Sequence, residues 1–124
     1  MYSSRIDSET AYDLFGRGRT LLRDGHPHQA AMLLARAKLI EPDKASIREA
    51  LGRALVLIGR WPDARREFAR MVQLNPADDY AHYCLALACE RTGEIGRARG
   101  HAKLAAALCP GNQHYEHILD RLGA

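Results

Sequence analysis

The chain has 124 residues, 47% of them hydrophobic and 27% charged, which excludes a disordered or collagen-like polypeptide and allows a core that needs no metal or disulfide staple. Its formal net charge of +3, carried almost wholly by arginine with lysine only at 38, 44 and 103, is too small to demand a nucleic-acid partner. The longest uncharged apolar-rich stretch, Tyr80 to Cys89, is too short to cross a bilayer, and an odd set of cysteines (Cys84, Cys89, Cys109) behind a start without an apolar leader points to free thiols in a reducing compartment.

The expectation is therefore a soluble cytoplasmic protein that does not contact membranes. The abundance of Arg and Ala with few Lys fits a GC-rich bacterial genome. Ala and Leu outnumber Val and Thr, which favours helix over strand.

Residues 1–10 read as a lead-in, since 1–8 carry no strong pattern. From residue 11 a period governs the chain. Pro42, Pro76 and Pro110 are 34 apart, as are Gly25, Gly59 and Gly93, and Ala30, Ala64 and Ala98. Counting back from the prolines divides the chain into 11–44, 45–78 and 79–112, with no insertion. Each repeat reads as two helices. In the first repeat Gly16-Arg17-Gly18 lies inside the first helix, and His26-Pro27-His28 is placed in a turn. In the second, Ile47, Leu51, Leu55 and Ile58 share a helical face with Ala50 and Ala54 beside them. Gly59 closes that helix in the left-handed conformation, and Pro62 suits the first turn of the next, where its missing N–H is not needed. Ala64, Phe68, Met71 and Leu74 form the next face, and Pro76 ends it. Small residues recur where two helices must approach closely: Gly18, Gly52 and Ala86 on first helices, Ala30, Ala64 and Ala98 on second helices. Residues 113–124 are expected to form a capping helix, with Ile118, Leu119 and Leu122 inward and Gln113, His114, Glu116, His117, Asp120 and Arg121 outward.

This pattern resembles the tetratricopeptide repeat (TPR) family over residues 11–112. The hallmark places hold Leu14, Gly18, Leu21, Gly25, Ala30, Leu34, Ala37 and Pro42 in the first repeat. They hold Leu51, Gly52, Leu55, Gly59, Ala64, Phe68, Met71 and Pro76 in the second. In the third they hold Leu85, Ala86, Cys89, Gly93, Ala98, Ala102, Ala105 and Pro110. The early tryptophan place departs with Leu14, Arg48 and His82, and the tyrosine place with Leu21, Leu55 and Cys89. The resemblance implies an all-α right-handed superhelix of three helix-turn-helix pairs plus a terminal helix.

It also implies a concave groove lined by the first helix of each pair. The outward places are Tyr12, Phe15, Arg19 and Leu22, then Ser46, Glu49, Arg53 and Val56, then Tyr80, Tyr83, Leu87 and Glu90, with His114, His117 and Arg121 extending the strip. Aromatic and Arg side chains dominate binding hot spots. The groove is thus expected to hold a partner protein or peptide carrying apolar and acidic residues. The competing reading is that Tyr12 and Phe15 pack on the N-terminal segment and Tyr83 on the cap. The carboxylate clamp of chaperone-binding members is not expected, because its matching places hold Phe15, Arg19, Ala50, Tyr80 and Cys84, with only one cation among them.

No catalytic signature is present: no Gly-rich phosphate loop, and no serine in a nucleophile setting. The chain is not expected to be an enzyme or to carry a cofactor. His114 and His117 share a face, Cys84 and Cys89 do not, and none of them is read as a metal ligand. Cys89 is expected in the core, His82 as a partly buried packing residue, and Trp61 as a staple at a helix start. Two alternatives to the groove are weighed. One is self-association through the ends of the array. The other is RNA or an acidic surface meeting a basic face of Arg36, Lys38, Arg65, Arg66, Arg70, Arg97, Arg99 and Lys103. The absence of interleaved aromatics there argues against base stacking.

Overall fold

The computed structural model describes residues 9–123; residues 1–8 of the lead-in, and Ala124 of the capping segment, lie outside them. Every regular element is helical: α1 (Ala11–Arg23), α2 (Pro27–Ile40), α3 (Ala45–Leu57), α4 (Trp61–Leu74), α5 (Asp79–Arg91), α6 (Ile95–Leu108) and α7 (Gln113–Arg121). The chain falls into two compact units, one ending at Gly59 and the other starting at Arg60.

In the first unit, α1 starts where Thr10 makes a reciprocal cap. Its Oγ1 accepts from the Asp13 amide at 3.0 Å, and the Asp13 carboxylate accepts from the Thr10 amide at 3.4 Å. The helix ends in a glycine-centred turn. Gly25 takes φ +85°, its amide donates to the Leu22 carbonyl at 3.2 Å, and the His26 amide donates to the Leu21 carbonyl at 2.8 Å. Pro27 is already the first residue of α2, so His28 is helical, a correction to the turn expected over His26-Pro27-His28. The fixed φ of proline and its missing amide suit that first position, which moves the helix start upstream.

The α1–α2 contact depends on the small residue at 18. A Cβ on Gly18 would stand 2.7 Å from Cγ and 2.8 Å from Cδ2 of Leu34, which is fully buried. Ala11, Leu14, Ala37 and Ile47 form the buried cluster, with Phe15 and Leu33 packed against it. Glu9 ties both helices by accepting from Arg17 and from Arg36, the latter at 2.7 Å.

In the second unit, side chains cap two helix starts. Asp78 Oδ1 accepts from the Ala81 amide at 3.1 Å, and Asn112 Oδ1 accepts from the His114 and Tyr115 amides at 2.9 and 3.2 Å. The core is unusually rich in alanine: Ala81, Ala86 and Ala88 on α5 and Ala98, Ala102 and Ala105 on α6 are all fully buried. Phe68 and Met71 of α4 supply larger volume. Trp61 stands at the start of α4, as its first residue, and the Arg91 guanidinium lies 4.9 Å from its ring centre.

The capping helix differs from expectation in one respect. Ile118 and Leu122 are buried as anticipated, Leu119 is only half-buried, and the largest inward group is Tyr115. Its hydroxyl donates to Asp79 Oδ2 at 2.6 Å, so a residue with a polar tip serves as core.

Candidate functional site

The outward places of α1 and α3 divide by burial. Tyr12 is 82% exposed, Arg19, Ser46 and Arg53 are exposed, Phe15, Glu49 and Val56 are half-buried, and Leu22 is buried. The Arg19 guanidinium sits 5.4 Å from the centre of the Phe15 ring, within cation–π range. Arg53 Nε lies 3.5 Å from Glu49 one helical turn away. Arg19, Leu22 and Arg53 come together around a concavity of about 340 Å³, with Gly16, Thr20 and Arg23 completing the lining. Those last three were not among the expected groove residues. The spacing of Gly16, Thr20 and Arg23 from the expected positions is the available signal, since each lies three or four residues from Arg19 or adjacent to it along α1.

In the second unit Tyr80 is 42% exposed, Tyr83, Leu87 and Glu90 are half-buried, and His114 and His117 are exposed. Tyr83 lies between two other phenols, 6.4 Å from Tyr80 and 5.1 Å from Tyr115 by ring centres. Glu90 is not free: it accepts from Arg121 Nη2 at 2.5 Å and from Nε at 3.1 Å, and this bond pushes the Arg121 guanidinium pKa up. Burial, then the Asp79 bond, holds the Tyr115 phenol well above its ordinary range.

His82 is a fuller participant than a partly buried packing residue. Only 3% of it is exposed, and both ring nitrogens are engaged. The Pro76 carbonyl can only accept, so His82 Nε2 carries the hydrogen and donates over 2.8 Å. His82 Nδ1 is then the acceptor for Nδ1–H of His101 at 3.0 Å, and the two rings stack at 5.3 Å. Burial, then His82, then Arg97, pulls the His101 pKa down. Cys89 is buried as expected, and burial raises its thiol pKa. Cys84 is also buried, and none of Cys84, Cys89 and Cys109 is in a disulfide. Among the described residues no cluster of three His, Cys, Asp or Glu side chains is placed to hold a metal ion.

A family model for the tetratricopeptide repeat matches residues 15–79 and again residues 49–113, the second match beginning and ending 34 residues after the first. The chain belongs to the tetratricopeptide repeat family. Solved structures agree on the fold. The first TPR of Spaghetti (RPAP3) bound to the HSP90 peptide SRMEEVD matches with a TM-score of 0.87 at 16% identity, over 94% of this chain and 92% of that one. MamA matches at 0.89 and 21% identity, over 98% of this chain and 71% of that one. The second TPR domain of human RPAP3, in complex with the HSP70 peptide SGPTIEEVD, matches at 0.85 and 18% identity, over 92% and 95%. No curated protein sequence matches the chain.

The seven helices are thus three TPR pairs, α1–α2, α3–α4 and α5–α6, followed by α7, and the all-α TPR solenoid expected from the sequence is the fold class found. Two of the places that match the chaperone clamp, Ala50 and Cys84, are buried. The cations of the second TPR helices are largely engaged. Arg65 pairs with Glu94 at 3.2 Å, Arg66 with Asp63, Arg97 with Glu94 at 3.8 Å, and Arg99 donates to the Leu122 carbonyl at 2.8 Å. No helix among the described residues is long and apolar enough to cross a membrane.

Proposed function

We propose that this TPR protein is an interaction module that holds a peptide segment of another protein against the outward faces of its first helices. The observation that carries the reading is the exposure of large side chains that a folded chain would otherwise bury: Tyr12 at 82% and Tyr80 at 42%, each with arginine, phenol or aliphatic neighbours on its own helix. Exposed large aromatics are enriched on binding surfaces relative to solvated helix faces. The peptide-bound TPR domains of similar fold support the class of function. In the first unit the contacts run through Tyr12, Phe15, Arg19, Glu49, Arg53 and Val56; in the second they run through Tyr80, Tyr83, Leu87, Glu90, His114 and His117. Acidic and apolar residues on the partner complement these groups.

The test is affinity capture from host cells with the full chain and with an Arg53→Ala, Tyr83→Ala double variant. Specific partners retained by the native chain and lost by the variant support the reading; an unchanged set overturns it.

Self-association is a second reading, favoured by apolar side chains left open on second helices. Met32 is 69% and Leu39 81% exposed on α2, and Leu104 and Leu108 are 47% and 43% exposed on α6. Mass measured by light scattering across a concentration series decides it: a strict monomer removes this reading.

A further inference from the structure

The concavity of the first unit has a chemistry more specific than that of a general peptide strip. Three arginines, Arg19, Arg23 and Arg53, line a volume of about 340 Å³, and no acidic residue lines it. The neighbouring acids approach these arginines only at long range: Asp24 lies 3.7 Å from Arg23 Nε, and Glu49 lies 3.5 Å from Arg53 Nε. Both distances exceed the 2.7–2.9 Å or so of a formed charge-assisted hydrogen bond. Arg19 lies over the Phe15 ring. Like charges gathered at one concavity repel one another, and a carboxylate that accepts from two forks relieves that repulsion while forming bidentate bonds.

The floor is also suited to close approach. A Cβ at Gly16 would meet nothing within 4 Å, so the α1 backbone is open there to an incoming chain. Across Gly16 and Thr20 lies a second concavity of about 370 Å³, lined also by Arg17, Leu21 and Leu33. A cationic recess and an apolar recess therefore share one ridge of α1.

We propose that this ridge is the docking site for an internal acidic segment of a partner protein, with two side-chain carboxylates bound by Arg19, Arg23 and Arg53 and an adjacent aliphatic side chain in the Leu21–Leu33 recess. The inference rests on the peptide-holding reading and states which chemistry the first unit selects. It differs from a chain-terminal carboxylate clamp because a peptide with blocked ends satisfies it.

The test uses the full chain and a fluorescein-labelled peptide, acetyl-Glu-Glu-Leu-Glu-Glu-Leu-amide, read by anisotropy. The Gln counterpart and inorganic phosphate serve as competitors. Expected are saturable binding of the Glu peptide, weakening of about tenfold or more in each of Arg19→Gln, Arg23→Gln and Arg53→Gln, and displacement by neither the Gln peptide nor phosphate at matched concentration. Gly16→Leu extends into the shared ridge from a Cβ that meets nothing within 4 Å; it is expected to abolish binding while the melting temperature is kept or raised, which separates loss of the site from loss of the fold. Equal binding of the Gln peptide, indifference to all three arginine substitutions, or full displacement by phosphate overturns the proposal. Partner capture that survives Arg19→Gln, Arg23→Gln but is lost in Tyr83→Ala also overturns it, while leaving the wider peptide-holding function standing.

Discussion

Gly16 and Gly18 are two residues apart on α1 and respond oppositely to the same substitution. A methyl group at 16 meets no atom within 4 Å, so Gly16→Ala is expected to raise stability by about 0.5–1 kcal/mol through lower backbone entropy in the unfolded chain. A methyl at 18 runs into Leu34 at 2.7 Å, so Gly18→Ala is expected to cost about 1–3 kcal/mol as that buried side chain is displaced. Urea denaturation of the two variants checks both signs, and equal shifts contradict the packing account. The repeat pattern flagged Gly18 because its place recurs as Gly52 and Ala86; Gly16 has no such recurrence, since its equivalents are Ala50 and Cys84. His101 provides a third residue-scale expectation. Burial, His82 and Arg97 lower its pKa below the ordinary 6.5, so the folded state takes up a proton less readily than the unfolded chain. Its contribution to stability is complete above pH 6.5 and is lost as pH falls from there through the lowered folded value. Denaturation midpoints measured from neutral to mildly acidic pH should decline more steeply in the native chain than in His101→Gln.

Capping chemistry acts at the scale of the element. The reciprocal cap of Thr10 and Asp13 begins α1, so Thr10→Ala is expected to cost about 0.5–2 kcal/mol, read as a lower urea midpoint; an unchanged midpoint places the helix start elsewhere. In α7 the determining group is Tyr115. Tyr115→Phe keeps the ring and removes the donor to Asp79, leaving that carboxylate without this bond, for a loss of about 1–3 kcal/mol. Helix existence was legible throughout, because glycine at φ +85°, +81° and +83° after α1, α3 and α5 marks three helix ends with a residue that bears that conformation without strain. The placement of Tyr115 was not legible. A tyrosine next to His, Glu and Asp on a short terminal helix reads as surface until a carboxylate from a distant helix is known to meet its hydroxyl.

For the molecule as a whole, stability in the second unit depends on α7 closing the last helix pair. Tyr115, Ile118 and Leu122 are at most 7% exposed, and each such side chain contributes about 1.5–3 kcal/mol by burial. A chain ending at residue 112 is therefore expected to melt at a markedly lower temperature and to aggregate on concentration, seen by circular dichroism and light scattering; a truncated chain with native melting shows that the cap is dispensable. The 34-residue recurrence of Gly, Ala and Pro by itself determined the helical class, the three pairs and the family, because a close helix contact or a left-handed turn admits few residue types and so marks the sequence each time it occurs. Only the tertiary structure decided the surfaces. It buried Leu22, set Tyr83 between Tyr80 and Tyr115, joined Glu90 to Arg121, and brought Arg23 and the open backbone of Gly16 to the recess shared by Arg19 and Arg53. Many residue types are tolerated on an outward helix face, so the pattern carries no record of which neighbours meet there; side-chain reach and the packing of helices distant in sequence settle that.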